Sequence, residues 1–234
     1  TYCQLAAKTF DVDLKIKTVE TRELLEAIEE TIKILKMFND IEIRNSVVIY
    51  LVLQELKKNN QKQIITGDGA DELFAGYNFL IDKSEEDLTN DLNRIWEIMH
   101  FPSIDIGKAL GITIETPFLD KRVVEFAKSL PISFKIGTND DKKFGKFILR
   151  KAFEDKIPRQ IIWRDKAAMQ DGSGTSGLTN LFESIITDDR FEEEKKEIQS
   201  ADDVIIRSKE SLHYYKIYRK YYKIDKKSDK STKC

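Results

Sequence analysis

Between Gln63 and Tyr77 the chain reads Gln-Ile-Ile-Thr-Gly-Asp-Gly-Ala-Asp-Glu-Leu-Phe-Ala-Gly-Tyr, and no other stretch narrows the possible folds as much. Gln63 to Ile65 has the length and β-branched content of a buried strand. Gly67 and Gly69 permit backbone angles that other residues avoid, and a helical pattern resumes at Ala70. A strand passing through a glycine turn into a helix belongs to an open α/β sheet, whose ligands bind beyond the carboxyl ends of the strands. The free amides of a helix start favour anions at that spot. Asp68, Asp71 and Glu72 place three carboxylates there. They would repel a bare phosphate unless a hard cation lay between, and Mg²⁺ is the natural candidate because it binds through one or two carboxylates plus phosphate oxygens. A purely structural alternative stands beside this: Asp68 or Asp71 caps the helix and Glu72 complements its dipole.

The flanking pattern extends the α/β reading. Tyr2 to Phe10 reads as the end of a helix, and Asp13 to Val19 alternates like a strand through Leu14, Ile16 and Val19. Thr21 opens a helix in which Leu24, Leu25, Ile28, Ile32 and Leu35 recur at helical spacing. Phe38 to Asn45 is a polar break before a second apolar helix, Ser46 to Lys57. Helix, strand, helix and strand in succession predict a parallel sheet. After Tyr77 the alternation stops. Helices are expected at Glu85 to Met99, Gly107 to Gly111, Arg122 to Leu130, Lys142 to Phe153, Leu178 to Ile186 and Ser208 to Tyr222. The Lys142 to Phe153 helix is basic, and Lys146 and Arg150 share one of its faces, aimed at phosphate or simply solvated. Asp171 to Gly177 reads as a flexible glycine-rich loop shortly after Arg164-Asp-Lys166.

Composition closes off several function classes. With 39 basic and 41 acidic residues among 234, the net charge of −2 lacks the basic excess of a nucleic-acid binder, so no nucleic-acid partner is expected. No apolar run approaches the ~20 residues of a membrane span, and no leader pattern opens the chain. Two cysteines at opposite ends, Cys3 and Cys234, cannot make a disulfide framework or a Cys-rich zinc site, so a reducing, cytoplasmic setting is expected. His100 and His213 are the only histidines, which leaves acid–base work to carboxylates or lysine. The tyrosines of Ser208 to Tyr222 read as core packing, and Lys223 to Cys234 as a solvated lysine-rich tail.

Four separated segments share one resemblance. Thr66-Gly-Asp-Gly-Ala-Asp-Glu-Leu-Phe-Ala-Gly-Tyr77, Pro117-Phe-Leu-Asp120 with Leu130-Pro131, Lys146-Phe-Ile-Leu-Arg150, and Arg164-Asp-Lys166 before its glycine loop are similar, in order and spacing, to the synthetase domain of asparagine synthetases. Ile43-Arg-Asn-Ser46 and Ser208 to Tyr215 resemble family segments too. The resemblance implies an α/β fold with a parallel sheet of the adenine-nucleotide α-hydrolase type, its first strands absent here, followed by a mostly helical C-terminal part. Residues 1–222 would form the synthetase domain, with 1–80 its α/β nucleotide-binding part and 81–222 its helical part, and 223–234 a polar tail.

The same resemblance implies an ATP-dependent amide-forming ligase that adenylates a carboxylate, aspartate in the family, releases pyrophosphate, and lets ammonia displace AMP. Thr66 and Gly67 would contact ATP, with Glu72, Lys146 and Arg150 in the same binding set, and Asp71 would hold Mg²⁺ on the pyrophosphate. Asp68 stands where the family has a glutamate implicated in ammonia attack, and Lys166 where a lysine meets pyrophosphate and the reacting centre. The chemistry suits these types: charge builds on the α-phosphate and the leaving pyrophosphate, so a metal and a cation stabilise it, and ammonia attack needs a proton acceptor. Without the resemblance, Lys166 reads equally as a solvated loop cation.

Three departures bear on function. The family's Ser-Gly-Gly-x-Asp-Ser phosphate loop is nowhere in the sequence, and the start in mid-helix at Thr1 leads us to expect an upstream segment. The glutaminase domain is missing as well, so ammonia would come from solution or from a separate glutaminase subunit; a homodimer is another possible assembly. Asp68 is one methylene shorter than glutamate, and Glu115 stands where relatives place arginine. Amidation or cyclisation of a different carboxylate, and an inactive nucleotide-binding scaffold, therefore remain alternatives.

Overall fold

A computed structural model describes residues 1–224; most of the expected tail, with Cys234, lies outside the described residues. Two compact units are each assembled from three separated stretches. The first comprises Thr1–Thr18, Gln63–Phe101 and Ile114–Ala167, and the second Val19–Lys62, Pro102–Thr113 and the chain from Ala168 onward.

The first unit carries the glycine turn. Strand β1 (Gln63–Ile65) lies beside β2 (Thr113–Glu115), and the bonds from Thr113 N–H to Lys62 O and from Thr66 N–H to Glu115 O make the pair parallel. The expected strand is therefore present, but it is not buried: Ile65 is 71% exposed. Beyond β1 the chain packs Leu73, Phe74 and Ala75 into two adjoining apolar clusters. One contains Leu80, Leu88 and Leu92, the last two from the helix Glu85–Ile98; the other contains Ala127 from the helix Lys121–Ser129. Pro117 starts a 3-10 turn that sends Phe118 and Leu119 into the second cluster, and Phe118 meets Phe74 edge-on at 6.1 Å between ring centroids.

The second unit is helical. Thr21–Leu35 and Asp40–Lys58 bury Ile28, Ile32, Ile43, Val47 and Leu51 against each other and against Pro102–Leu110. Lys209–Tyr221 buries Leu212, Tyr214, Tyr215 and Ile217, so two of its tyrosines are core residues as expected, whereas Tyr221 is exposed.

Four local expectations are not met, one of them for a local reason. Asp13 to Val19 is not a strand: no described strand pairs with it, and Leu14 and Ile16 stay exposed. The polar break at Phe38 to Asn45 is instead a helix start, because Asn39 accepts the Glu42 N–H at 3.0 Å and caps Asp40–Lys58. Lys142 to Phe153 is divided. Lys142–Phe144 forms β4, antiparallel to β3 (Gly137–Asn139), and only Phe147–Ala152 is helical. The glycine-rich stretch after Lys166 is ordered into a short helix, Met169–Ser173, and a 3-10 turn, Thr175–Gly177. A further helix, Asp188–Asp202, has too little apolar periodicity to be seen in the sequence.

Candidate active site

The site stands on a helix of four residues, Ala70–Leu73. It starts from Gly69 at φ +90°, where a side chain would be strained and would run into Leu119. No side chain caps this start, so neither Asp68 nor Asp71 has that role. Asp68 accepts the Thr66 hydroxyl at 2.8 Å.

Such a short helix leaves its carbonyls unpaired unless other groups reach them. Here the loop and three remote segments do so. Asp71 O accepts the Gly76 N–H at 2.8 Å, Glu72 O the Trp96 indole N–H at 3.0 Å, Leu73 O the Lys135 Nζ at 3.3 Å, and Phe74 O the Lys146 N–H at 2.8 Å. Lys135 also donates to Ala127 O and lies over the Trp96 ring. With its side chain buried and no carboxylate beside it, its ammonium is pushed down to about 8 by loss of water. The Asp71 backbone is thus held from all sides before its carboxylate does anything.

That carboxylate gathers two cations. Asp71 Oδ1 lies 2.7 Å from Lys146 Nζ and Oδ2 lies 2.9 Å from Lys166 Nζ, although the lysines are 75 and 95 residues further along the chain. Burial by itself would raise the Asp71 pKa; Lys146 and then Lys166 outweigh it, and the carboxyl is held below its ordinary value. Gly76 makes the arrangement possible, because a side-chain carbon there would overlap Asp71 Oδ1. Lys146 adopts a left-handed backbone, φ 55° and ψ 31°, as does Ala75 at φ 54°. Such angles cost on the order of 1 kcal/mol or more each and persist where surrounding contacts impose them. Lys166 is fixed at its own carbonyl by Asn78 Nδ2 at 3.4 Å and lies over the Tyr77 ring. Lys166 also borders a cleft of about 640 Å³, whose lining includes the cations Lys142 and Arg150 and the carboxylates Asp82, Asp141 and Asp165, with Asp71 and Lys146 set behind Gly76 and Gly145 rather than in the lining.

The residues singled out in the sequence therefore fall into three groups. Asp71, Lys146 and Lys166 meet. Thr66, Gly67 and Asp68 form the turn just after β1, with Thr66 N–H committed to Glu115 O. Glu72 and Arg150 point their charge elsewhere: Glu72 Oε1 accepts the Tyr77 hydroxyl, and the Arg150 guanidinium donates to the carbonyls of Gly145, Ile162 and Arg164. The shared helix face of Lys146 and Arg150 is not formed, since Lys146 is the left-handed residue preceding the helix. Sequence reasoning missed Gly76, Trp96 and Lys135. Only Gly76 carried a signal, as one of three glycines in the loop; a lysine in Ile-Ser-Phe-Lys has the look of any solvated cation.

No group of three or more His, Cys, Asp or Glu side chains gathers into a metal cage among the described residues. Of the three loop carboxylates, Asp71 meets the lysine pair, Asp68 accepts the Thr66 hydroxyl and Glu72 accepts the Tyr77 hydroxyl. One carboxylate beside two ammoniums suits a polyphosphate with a Mg²⁺ whose other ligands are phosphate oxygens and water, and does not suit a metal held by protein alone.

An acidic loop thus brings one carboxylate and two lysines together, and comparison with known proteins gives the family. The chain belongs to the asparagine synthase family, whose model matches residues 1–101 and 105–211. It is 30% identical over 217 residues to a probable glutamine-hydrolysing asparagine synthetase of Dictyostelium discoideum, covering 86% of this chain and 38% of that protein. The glutamine-hydrolysing asparagine synthetase of Gallus gallus is 30% identical over 222 residues, 86% of this chain and 37% of its own length. A glutamine-hydrolysing asparagine synthetase of Saccharomyces cerevisiae is 28% identical over 196 residues, 77% and 34%. The chain spans less than two fifths of the length of these curated relatives. No helix among the described residues is long and apolar enough to cross a membrane.

Proposed function

We propose that this chain is the synthetase part of an ATP-dependent carbon–nitrogen ligase with an adenine-nucleotide α-hydrolase fold, converting aspartate to asparagine. The observation that carries the reading is the Asp71 carboxylate held between Lys146 and Lys166 beside the cleft. A side-chain carboxylate oxygen of the substrate attacks the α-phosphorus of ATP, the α–β anhydride bond breaks, and pyrophosphate leaves with the bonding pair. Ammonia then attacks the acyl carbon, AMP departs, and the proton lost from nitrogen passes to a base.

Each residue has a task suited to its surroundings. Lys166 and Lys146 turn from Asp71 to the β- and γ-phosphates and stabilise the charge that grows as pyrophosphate leaves. Asp71, ionised throughout the neutral range, is the residue that would hold Mg²⁺, which when bound neutralises the same charge. Thr66 and Gly67 border the nucleotide at the end of β1. Asp68, oriented by the Thr66 hydroxyl, is the acceptor for the ammonia proton. The shorter reach of Asp68 relative to glutamate favours a second substrate reading, a different carboxylate, which product identification separates from aspartate.

The test is exchange of labelled pyrophosphate into ATP by the full-length protein, with aspartate and then a panel of other carboxylates. Exchange with one carboxylate, abolished by Lys166→Ala while the melting temperature is kept, is the expected result. No exchange with any of them refutes adenylation, and undiminished exchange in the variant removes Lys166 from the site.

A further inference from the structure

Arg150 lies against the cleft, yet its guanidinium is spent on backbone. Nε donates to Gly145 O at 2.9 Å, and Nη1 donates to Arg164 O at 3.1 Å and to Ile162 O. The residue is only 9% exposed, and its guanidinium carbon lies 5.0 Å from the Phe144 ring centroid and 5.9 Å from that of Trp163. A charge in that position is costly unless its donors are used, and they are used on carbonyls of two separate segments. One carbonyl belongs to the residue before Lys146; another belongs to the residue two before Lys166.

We propose that Arg150 is a positioning residue that ties the Gly145–Lys146 turn to the Ile162–Lys166 segment and so sets the spacing of the two ammoniums that meet Asp71. A planar fork suits this because its donors leave in fixed directions; one ammonium cannot reproduce contacts to carbonyls of residues 145, 162 and 164. Asn78 holds the Lys166 carbonyl from the other side, at 3.4 Å, so the lysine is located by its backbone neighbours before its side chain reaches Asp71. The inference rests on the proposed phosphate role of Lys146 and Lys166 for its functional consequence, but the tie itself does not depend on it.

The experiment uses the full-length protein and the variants Arg150→Lys, Arg150→Gln, Lys166→Ala and the double variant Arg150→Lys/Lys166→Ala. Three readings are taken: exchange of labelled pyrophosphate into ATP, calorimetric binding of inorganic pyrophosphate with Mg²⁺, and amide hydrogen exchange. Displacing a reacting group by about an ångström costs on the order of 100-fold. The expected result for Arg150→Lys is therefore about a 100-fold loss of pyrophosphate exchange into ATP and about tenfold weaker pyrophosphate binding. In the Lys166→Ala background the further loss of pyrophosphate binding should be smaller than in the wild type, because the part of the tie that acts through Lys166 is already lost and only the Gly145–Lys146 part remains. Amides of residues 163–167 should exchange faster, while those of the helix Lys121–Ser129 stay protected. Fully additive losses of pyrophosphate binding in the double variant overturn the proposal by showing that Arg150 acts independently of Lys166. Wild-type protection of 163–167 in both Arg150 variants overturns it as well. If the unmutated protein binds no pyrophosphate, the phosphate reading fails by itself, and the exchange map still decides whether Arg150 ties the segments.

Discussion

Replacing Lys135 by methionine should change how the stability of this protein depends on pH, with little effect near neutrality. Lys135 is 1% exposed, and burial takes its ammonium from 10.5 down to about 8. At about 1.4 kcal/mol per pH unit, that difference is about 3 kcal/mol of desolvation cost borne by the folded state while the amine is charged. Below pH 8 both states are protonated and the cost is present in full. Between pH 8 and 10.5 the unfolded chain binds a proton that the folded one does not, so stability rises with pH through that window and levels off above it. The neutral amine still donates to Leu73 O and Ala127 O, so the brace on the Asp71 helix survives deprotonation. Methionine removes the desolvation cost but deprives these carbonyls of a donor, at about 1–3 kcal/mol for each left unsatisfied. The two effects nearly cancel at pH 7 and cease to cancel above pH 8. Urea denaturation of both proteins in steps from pH 7 to 10 measures the difference directly, and groups common to both drop out. The wild type should gain on the variant by about 2–3 kcal/mol, nearly all of it above pH 7.5. A difference that stays constant with pH would mean that Lys135 keeps an ordinary pKa and that its burial is tolerated without cost.

Further expectations concern the loop. Gly76→Ala puts a side-chain carbon into the space of Asp71 Oδ1, so the carboxylate must leave the lysine pair; pyrophosphate exchange should fall about 100-fold, and a variant exchanging at the wild-type rate would separate that geometry from function. Asp68→Asn keeps a partner for the Thr66 hydroxyl but removes the proton acceptor. It should retain pyrophosphate exchange and lose amide formation by about 10²-fold or more, and equal loss of both steps would place Asp68 in adenylation instead.

The mutual placement of Asp71, Lys146 and Lys166 shows how sequence and structure divided the information. Residue type marked Asp71, through the acidic glycine turn after a β-branched run, and the family resemblance marked Lys146 and Lys166, which on residue type alone read equally well as solvated cations. The backbone that delivers Lys146 was not legible. A run of Lys-Lys-Phe-Gly-Lys-Phe-Ile-Leu-Arg carries helical spacing, but Lys142–Phe144 pairs with Gly137–Asn139, and the Lys146 N–H is drawn to Phe74 O, some seventy residues away in sequence. That bond makes Lys146 a left-handed turn residue and sends its side chain to Asp71 rather than along a helix with Arg150. Arg150 illustrates the same limit: a basic helix face shared with Lys146 suggested phosphate or solvent, and only the fold reveals three carbonyls within its reach.

Local chemistry, then, was sufficient for whatever neighbouring residues decide among themselves. The strand Gln63–Ile65, the left-handed Gly69, the proline-led turn at Pro117 and the aromatic core face of Lys209–Tyr221 all follow from side-chain shape and spacing over a few residues. Tertiary structure decided what depends on groups far apart in the chain. The non-strand course of Asp13 to Val19 depends on whether a neighbouring strand exists, and the partners of the Asp71 helix carbonyls come largely from Trp96, Lys135 and Lys146. A hydrogen bond or ion pair between distant segments leaves no periodicity in the sequence, because its energy depends on the separation of two groups in space and not on their separation along the chain.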